Sequence, residues 1–299
     1  MSNIKEKIMC TSFAAYFNKP IYGMNMDDQE RERRFKVTIL KCNKKCGDKG
    51  NCAKCILKNS NVIRFHCQIK DGNGFLENAC MNNFGVFSNY QTLIPNNETK
   101  LDKPKLSIPI GKLFYQSQMY SKNVKDILGH IGNKTLYNDF RTGLHNMFAD
   151  KNGNAIILER SENGNEISNI KDNFIVMTNF PVYEFAGKPY SKVMGFGEDR
   201  YKIAYKEINS QKKNFDIMQG FNVLEKAKNT SSQNPTVCSM IFEPNELNIY
   251  IVLFGKFDKI WKISILNNSI ETYKGFNKQY KFKLGSKGML SSQLEQYMN

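Results

Sequence analysis

Short β-rich segments separated by tight-turn residues recur along most of this chain, and they constrain its fold more than any other feature. Asn152-Gly153 and Asn163-Gly164 each lie between such segments, and Asn-Gly is the dipeptide that two-residue hairpin turns favour. A third hairpin is predicted at the start, where CTSFAAYF and IYGMNMD flank Asn18-Lys19-Pro20. The sequence therefore predicts a protein built largely from antiparallel strands.

Helical periodicity interrupts these strands. The pattern predicts helices at residues 112–131, 134–148, 200–211 and 215–228. Further strands are predicted at Phe35–Leu40, Val62–Ile69, Met81–Tyr90 and Asn173–Thr178, and in a terminal meander from Cys238 to Ile265. No repeat and no linker divides the chain, so this order predicts one α+β domain with two segregated sheets.

Charge and hydropathy exclude several classes of protein. The longest wholly apolar stretch has six residues, Ile249–Phe254, whereas a membrane-spanning helix needs about 20. Residues 2–9 lack the apolar run of a secretory signal, so we expect a cytoplasmic protein with no membrane partner. The net charge of +15 is concentrated in residues 31–70, which hold twelve Lys and Arg against Glu32 and Asp48. Such a stretch is more often a solvated lobe than a nucleic-acid site, and a nucleic-acid partner is not favoured.

Four of the eight cysteines crowd into fourteen residues: Cys42, Cys46, Cys52 and Cys55. In a reducing compartment this spacing favours a structural zinc or an iron–sulfur cluster, and the neighbouring lysines would offset the negative charge of four thiolates. Free thiols and disulfides are the alternatives. We expect the cluster on an inserted lobe at about residues 41–58, between two strands and outside catalysis.

Cys10 is a candidate nucleophile because of its position. If translation began at Met9, or if residues 1–9 were a propeptide that is cut away, Cys10 would be the first residue of a domain spanning 10–299. Its α-amine, with an ordinary pKa of about 7.7–8.0, would then accept the thiol proton without a separate histidine. The alternative is an ordinary buried cysteine on a strand.

The residues after Cys10 resemble a known family. CTSFAAYFNKPIYGMNMD is similar to the start of the choloylglycine hydrolase and penicillin V acylase family, which belongs to the N-terminal nucleophile hydrolases. Later segments match in order along nearly the whole chain: MNNFGVFS, LHNMFADKNGNAIILE, FIVMTNFPVYEF, EDRYKIAYKEI and SMIFEPNELNIYIVLFGKFDKIWKISI. The resemblance implies a four-layer αββα sandwich of two antiparallel sheets.

The resemblance also implies roles for individual residues. Cys10 would attack an amide carbonyl, and Asp27 would hold its α-amine over the sulfur. Asn179 would donate to the oxyanion, and Arg200 would tune the thiolate. The second oxyanion donor does not align uniquely. We take Asn89, with Tyr90, Gln91 and Thr92 as the other residues that a small gap would admit.

Two departures from the family limit what carries over. The arginine of its Gly-Arg-Asn-Met-Asp segment is Met24 here, which removes one positive charge beside the nucleophile. Only 21 residues separate Asn179 from Arg200, whereas in bile salt hydrolases a longer loop at this point projects into a neighbouring subunit. A homo-oligomer is compatible with the resemblance, but a tetramer and bile-salt specificity are not assumed. His66, His130 and His145 are interpreted as structural.

The leading hypothesis is a cysteine N-terminal nucleophile amidohydrolase that cleaves a linear carbon–nitrogen amide bond of a small N-acyl compound through an acyl-thioester. The acyl compound would be of the bile salt, penicillin V or N-acyl amino acid type, and catalysis would need no cofactor. Acyl transfer to an amine is one alternative. The other is a metal-stapled binding protein that has lost catalysis with the arginine at position 24.

Overall fold

The structure is a computed structural model that describes residues 10–28, 35–41, 61–68, 74–95, 103–138, 140, 143–231 and 234–298. The strands are β1 Cys10–Tyr16, β2 Pro20–Asp27, β3 Phe35–Lys41, β4 Asn61–Gln68, β5 Phe75–Asn82, β6 Phe87–Thr92, β7 Ser107–Pro109, β8 Thr135–Tyr137, β9 Leu144–Ala149, β10 Ala155–Ser161, β11 Gly164–Asn169, β12 Phe174–Met177, β13 Thr236–Glu243, β14 Asn248–Leu253, β15 Ile260–Ser264, β16 Ser269–Lys274, β17 Lys281–Lys283 and β18 Met289–Leu290. The helices are α1 Ile110–Tyr120, α2 Val124–Ile131, α3 Glu198–Ser210, α4 Ile217–Lys226 and α5 Ser291–Glu295.

Two eight-stranded sheets contain all of these strands except β7 and β8. The first sheet has the order β12-β1-β2-β13-β14-β15-β16-β17, and the second has the order β11-β10-β9-β6-β5-β4-β3-β18. Neighbouring strands are antiparallel in both sheets, and a separate parallel pair joins β7 to β8. The hairpins predicted at Asn18-Lys19-Pro20, Asn152-Gly153 and Asn163-Gly164 are confirmed as the β1–β2, β9–β10 and β10–β11 connections.

Three apolar cores separate four layers. The largest lies between the sheets and includes Met24 and Phe242 from the first sheet and Phe65 and Phe87 from the second. A second core packs α1 and α2 against the outer face of the second sheet, and a third packs α3 and α4 against the outer face of the first. Because each sheet is apolar on both faces, each needs a helix layer outside, and the αββα sandwich is confirmed.

Sequence periodicity misplaced the helices of the first half. The helix predicted over 112–131 is divided, because the Asn123 side chain accepts a hydrogen bond from the Asp126 N–H and starts a new helix. The helix predicted over 134–148 is wrong: this segment contains β8 and β9 instead. Pairing with both β6 and β10 overrides the apparent helical spacing of β9.

The remaining secondary-structure predictions fare better. The helices predicted over 200–211 and 215–228 correspond to α3 and α4, and the terminal meander is confirmed and extended by β16 and β17. Met81–Tyr90 is not one strand: a turn with Gly85 at a φ of 77° divides it into the ends of β5 and β6. Within the described ranges, the helices are too short or too polar for any of them to cross a membrane.

Candidate active site

Cys10 is the first residue of β1, with β12 on one side and β2 on the other. It is fully buried. Strand alternation gives β1 two different environments: Cys10 and Ala14 belong to the core between the sheets, whereas Phe13 and Ala15 belong to the core under α3 and α4. The main chain of Cys10 therefore lies between the core that separates the sheets and the helix layer, and Arg200 approaches it from the helix side.

Arg200, in the first turn of α3, contacts the main chain of the candidate nucleophile. Its Nη1 donates to the Cys10 carbonyl oxygen at 2.8 Å and to Thr11 Oγ1 at 3.1 Å, and its Nη2 donates to Asn179 Oδ1 at 2.8 Å. Only 5% of Arg200 is exposed. A buried guanidinium requires several acceptors. With Asp27 Oδ2 at 3.3 Å from Nη1, the site supplies them from three separate segments of the chain.

Gly197 makes room for this arginine. It has a φ of 81° immediately before α3, in the left-handed region that glycine tolerates. A Cβ at this position would lie 2.5 Å from Arg200 Nη2. Both the turn into α3 and the position of the guanidinium therefore depend on glycine here.

Asn179, just beyond β12, is fixed on three sides. Its Oδ1 accepts a hydrogen bond from the Cys10 main-chain N–H at 3.1 Å. Its Nδ2 donates to the Thr92 carbonyl oxygen at 2.7 Å, and its own carbonyl oxygen accepts from the Ile94 N–H at 2.8 Å. The side chain therefore links the start of β1 to the segment that follows β6.

Asp27 ends β2 and is fully buried. Its Oδ1 accepts from Thr236 Oγ1 at 2.5 Å, and its Oδ2 lies 3.3 Å from Arg200 Nη1. Burial raises the pKa of the Asp27 carboxyl from its ordinary value of 3.8 to about 7, although the Arg200 charge and the Thr236 hydrogen bond oppose the shift. Asp27 is therefore poised to change charge near neutral pH.

The Cys10 thiol is in an environment that favours its neutral form. Burial raises its pKa well above the ordinary range, and the nearby Asp27 carboxylate acts in the same direction. A backbone hydrogen bond from Asp27 and the charge of Arg200 partly oppose the shift. In the full-length chain the thiol is therefore protonated at neutral pH.

Asn89 lies apart from this group. Its Nδ2 donates to Ser12 Oγ at 2.6 Å and to Met24 Sδ at 3.4 Å, while its Oδ1 accepts from the Met147 N–H. Both partners of its amide nitrogen are therefore side chains of the β1–β2 hairpin. Ser12 is two residues from Cys10, and Met24 is two residues from Met26, which pairs with Cys10. The structure brings Cys10, Asp27, Asn179 and Arg200 together and leaves Asn89 beside them.

Several residues of the site were not singled out from the sequence. Thr11 and Thr236 hydrogen-bond Arg200 and Asp27, and the Thr92 main chain anchors Asn179. Thr11 directly follows the proposed nucleophile, which was a usable signal. Thr236 was not detectable, because it reaches Asp27 through a pairing between strands 209 residues apart.

His145 and Glu159 form a buried pair behind the site. His145 Nε2 donates to the Thr178 carbonyl oxygen at 2.7 Å, and its Nδ1 lies 2.8 Å from Glu159 Oε1. Glu159 also accepts from the Val182 and Tyr183 N–H groups. The pair thus fixes the backbone on both sides of Asn179, in keeping with the structural role predicted for His145.

The predicted metal ligands Cys42, Cys46, Cys52 and Cys55 lie outside the described residues, as do residues 1–9. The strands on either side of the predicted lobe pair as a hairpin, with Lys41 opposite Asn61. Among the residues that the structure does describe, no cluster of His, Cys, Asp and Glu is arranged to hold a metal ion.

The chain is similar to solved structures of two hydrolases. A mutant and a variant of conjugated bile acid hydrolase from Clostridium perfringens match with TM-scores of 0.61 and 0.62, at 14% and 16% identity. They cover 93% and 92% of this chain and 98% of their own. Penicillin V acylase from Agrobacterium tumefaciens matches with a TM-score of 0.61 at 14% identity, covering 93% of this chain and 96% of its own. The chain has their fold.

These neighbours are consistent with the family resemblance carried by the sequence motifs. No family model matches the chain. No curated protein matches it either.

Proposed function

We propose that this protein is a cysteine N-terminal nucleophile amidohydrolase, which cleaves a linear amide bond of an N-acyl compound through an acyl-thioester on Cys10. The observation that carries the proposal is that Asn179 and Arg200 bond the first residue of β1, with Asp27 paired to Arg200 beside them. Two of these side chains bond the main chain of Cys10 rather than its thiol. Such an arrangement suits a reaction in which the main-chain nitrogen itself takes part.

Removal of residues 1–9 is part of the proposal. While Met9 is attached, the Cys10 nitrogen is an amide that donates to Asn179 Oδ1 and has no basic lone pair. After removal it is an α-amine, and Asn179 Oδ1 remains as an acceptor for one of its hydrogens. The amine then accepts the thiol proton, and the resulting thiolate adds to the substrate carbonyl.

The remaining steps use the same groups. The tetrahedral adduct collapses when the substrate amine leaves with the proton from the Cys10 ammonium, and water then hydrolyses the thioester. An Asn amide nitrogen has two hydrogens; Thr92 accepts one from Asn179, and the other is assigned to the oxyanion. Asn89 would have to release Met24 before it donated to substrate, so Asn179 is the principal donor.

The substrate proposal rests on the structural neighbours. The names of two of them point to conjugated bile acids and penicillin V, and N-acyl amino acids contain the same type of amide bond. We therefore propose a small-molecule N-acyl amide as substrate, with no cofactor in the chemistry.

A second candidate function is supported by Met24. It is fully buried in the core between the sheets, in the same cluster as Cys10, and it adds no charge that would lower the thiol pKa. A chain that retains the site geometry without turnover would be a binding protein. Acyl transfer to an amine would follow the same chemistry as hydrolysis up to the thioester.

One experiment separates these functions. Protein translated from Met9, whose methionine is removable because Cys10 is small, is incubated with penicillin V, conjugated bile salts and N-acyl amino acids, with and without an added amine. Release of the substrate amine supports hydrolysis, and a new amide with the added amine supports transfer. The Cys10→Ser protein is the control. Binding of these compounds without product from either reaction would favour the second candidate.

A further inference from the structure

A cavity of about 490 Å³ lies at the edge of the sandwich where β11 and β12 end the two sheets. Part of its wall comes from the connection between Asn179 and Arg200, which contains two short 3₁₀ turns, Val182–Phe185 and Tyr190–Lys192. Neither Cys10 nor Asp27, Asn179 or Arg200 lines it. It is therefore distinct from the proposed catalytic group.

The wall of this cavity is rich in aromatic rings: Phe174, Phe180, Tyr183, Phe185, Tyr190, Tyr201 and Tyr205. Tyr190 and Tyr205 stack in parallel, with ring centroids 4.5 Å apart and an angle of 11° between the planes. Phe180 meets both Phe185 and Tyr201 edge to face. Fixed rings of this kind offer flat and edge contacts to another planar ring at low entropic cost.

The charges around the cavity cancel. Lys171 and Lys188 line it together with Glu166 and Asp172. The Lys188 ammonium also lies 5.0 Å above the Phe185 ring, in a cation–π contact. The lining therefore has no net charge with which to concentrate an anion or a cation.

We propose that this cavity is a binding site for an uncharged aromatic molecule, separate from the Cys10 site. The volume lies in the range of about 300–1,000 Å³ that is typical of small-molecule sites, and the aromatic rings of its wall are accompanied by polar side chains such as Ser168 and Asn169. Ile167, which is 42% exposed, adds an apolar side chain to the lining.

The test uses two fluorescent probes with the same rings on the full-length protein. N-phenyl-1-naphthylamine is uncharged, and 8-anilinonaphthalene-1-sulfonate adds a sulfonate to the same skeleton. We expect saturable binding of the uncharged probe at one site per chain, and weaker binding of the sulfonate. Tighter binding of the sulfonate would overturn the assignment to uncharged ligands, and no saturable binding of either would overturn the site.

A substitution at the rim locates the probe. Ala186 lines the cavity, is exposed, and has an extended backbone that accepts a large side chain. Ala186→Trp should weaken binding of the uncharged probe by about ten-fold or more. The matched control is Leu266→Trp, at a residue that is 64% exposed and does not line the cavity. Equal affinity in both variants would contradict the proposal.

Nuclear Overhauser contacts complete the test. Contacts between probe protons and the Tyr190 and Tyr205 rings would support this site, and their absence in a complex with bound probe would overturn it. Because the probe does not react at Cys10, the outcome is independent of hydrolase activity. Failure of one proposal therefore leaves the other open to its own test.

Discussion

The two faces of the strand that begins with Cys10 differ sharply. On the helix side, Thr11, Asp27 and Arg200 form a buried polar group with Asn179. On the side between the sheets, Cys10 shares a core with methionines from neighbouring strands, including Met24 and Met26, and the polar side chains Ser12 and Asn89 that meet there carry no charge. One face therefore holds the main chain of Cys10 in place, while the other gives its thiol no charged partner.

This difference shows which parts of the proposed mechanism are built into the chain. The groups that would orient an α-amine are present and mutually hydrogen-bonded. The group that would add a positive charge at position 24 is replaced by a neutral thioether. We infer that activation depends more on the amine of Cys10 than on the electrostatics around its sulfur.

The largest expected effect concerns that amine. A chain that starts at Cys10 should hydrolyse its substrate about 10²–10⁴-fold faster than the full-length chain, because an amide nitrogen cannot act as a general base. Intact-mass measurement establishes which N-terminus each sample has, and initial rates give the ratio. Equal rates with residues 1–9 still attached would contradict the α-amine mechanism.

Replacement of the arginine on the polar face should have the next largest effect. A lysine in Arg200→Lys carries all its donors on one nitrogen. It therefore cannot replace both Nη1 and Nη2, which together hold the Cys10 carbonyl, Asn179 and Asp27. We expect a loss on the order of 100-fold in kcat, as for a displaced reacting group. Arg64→Lys is the matched control, since Arg64 pairs with Glu77 at 3.4 Å in the other sheet. Similar losses in both variants would indicate a general structural effect.

Sequence reasoning recovered the polar face better than the apolar one. Cys10, Asp27, Asn179 and Arg200 each lie in a local motif, and the structure brings all four together. Asn89 was chosen within a strand whose register depends on β9, and β9 itself had been taken for a helix. A one-residue shift turns a strand side chain to the opposite face, so its partner could not be derived without that pairing.

Charge on the apolar face can be restored directly. In the chain that starts at Cys10, Met24→Arg should raise the rate of iodoacetamide labelling of Cys10 by about ten-fold. This is the increase in thiolate fraction expected if the added charge lowers the thiol pKa by about one unit. Burying an arginine there should also cost several kcal/mol of folding stability. Met24→Leu keeps the size without the charge and serves as control. No gain in labelling by a folded Met24→Arg protein would argue against the missing charge as the limiting factor.

The smallest expected effect is a difference between wild type and Asp27→Asn in how the free energy of unfolding depends on pH. Because burial raises the Asp27 pKa from 3.8 to about 7, the folded chain binds a proton that the unfolded chain has already released between these pH values. The free energy of unfolding should therefore fall as pH rises from about 4 to about 7, and this contribution should level off above the folded-state pKa.

Asp27→Asn does not titrate, so its urea midpoint relative to wild type should rise across the same window. Asp258→Asn, at an exposed carboxyl, controls for the general effect of removing an acid. Parallel stability curves for wild type and Asp27→Asn would show that the polar face does not change charge near neutral pH, and would leave Arg200 paired with a carboxylate throughout.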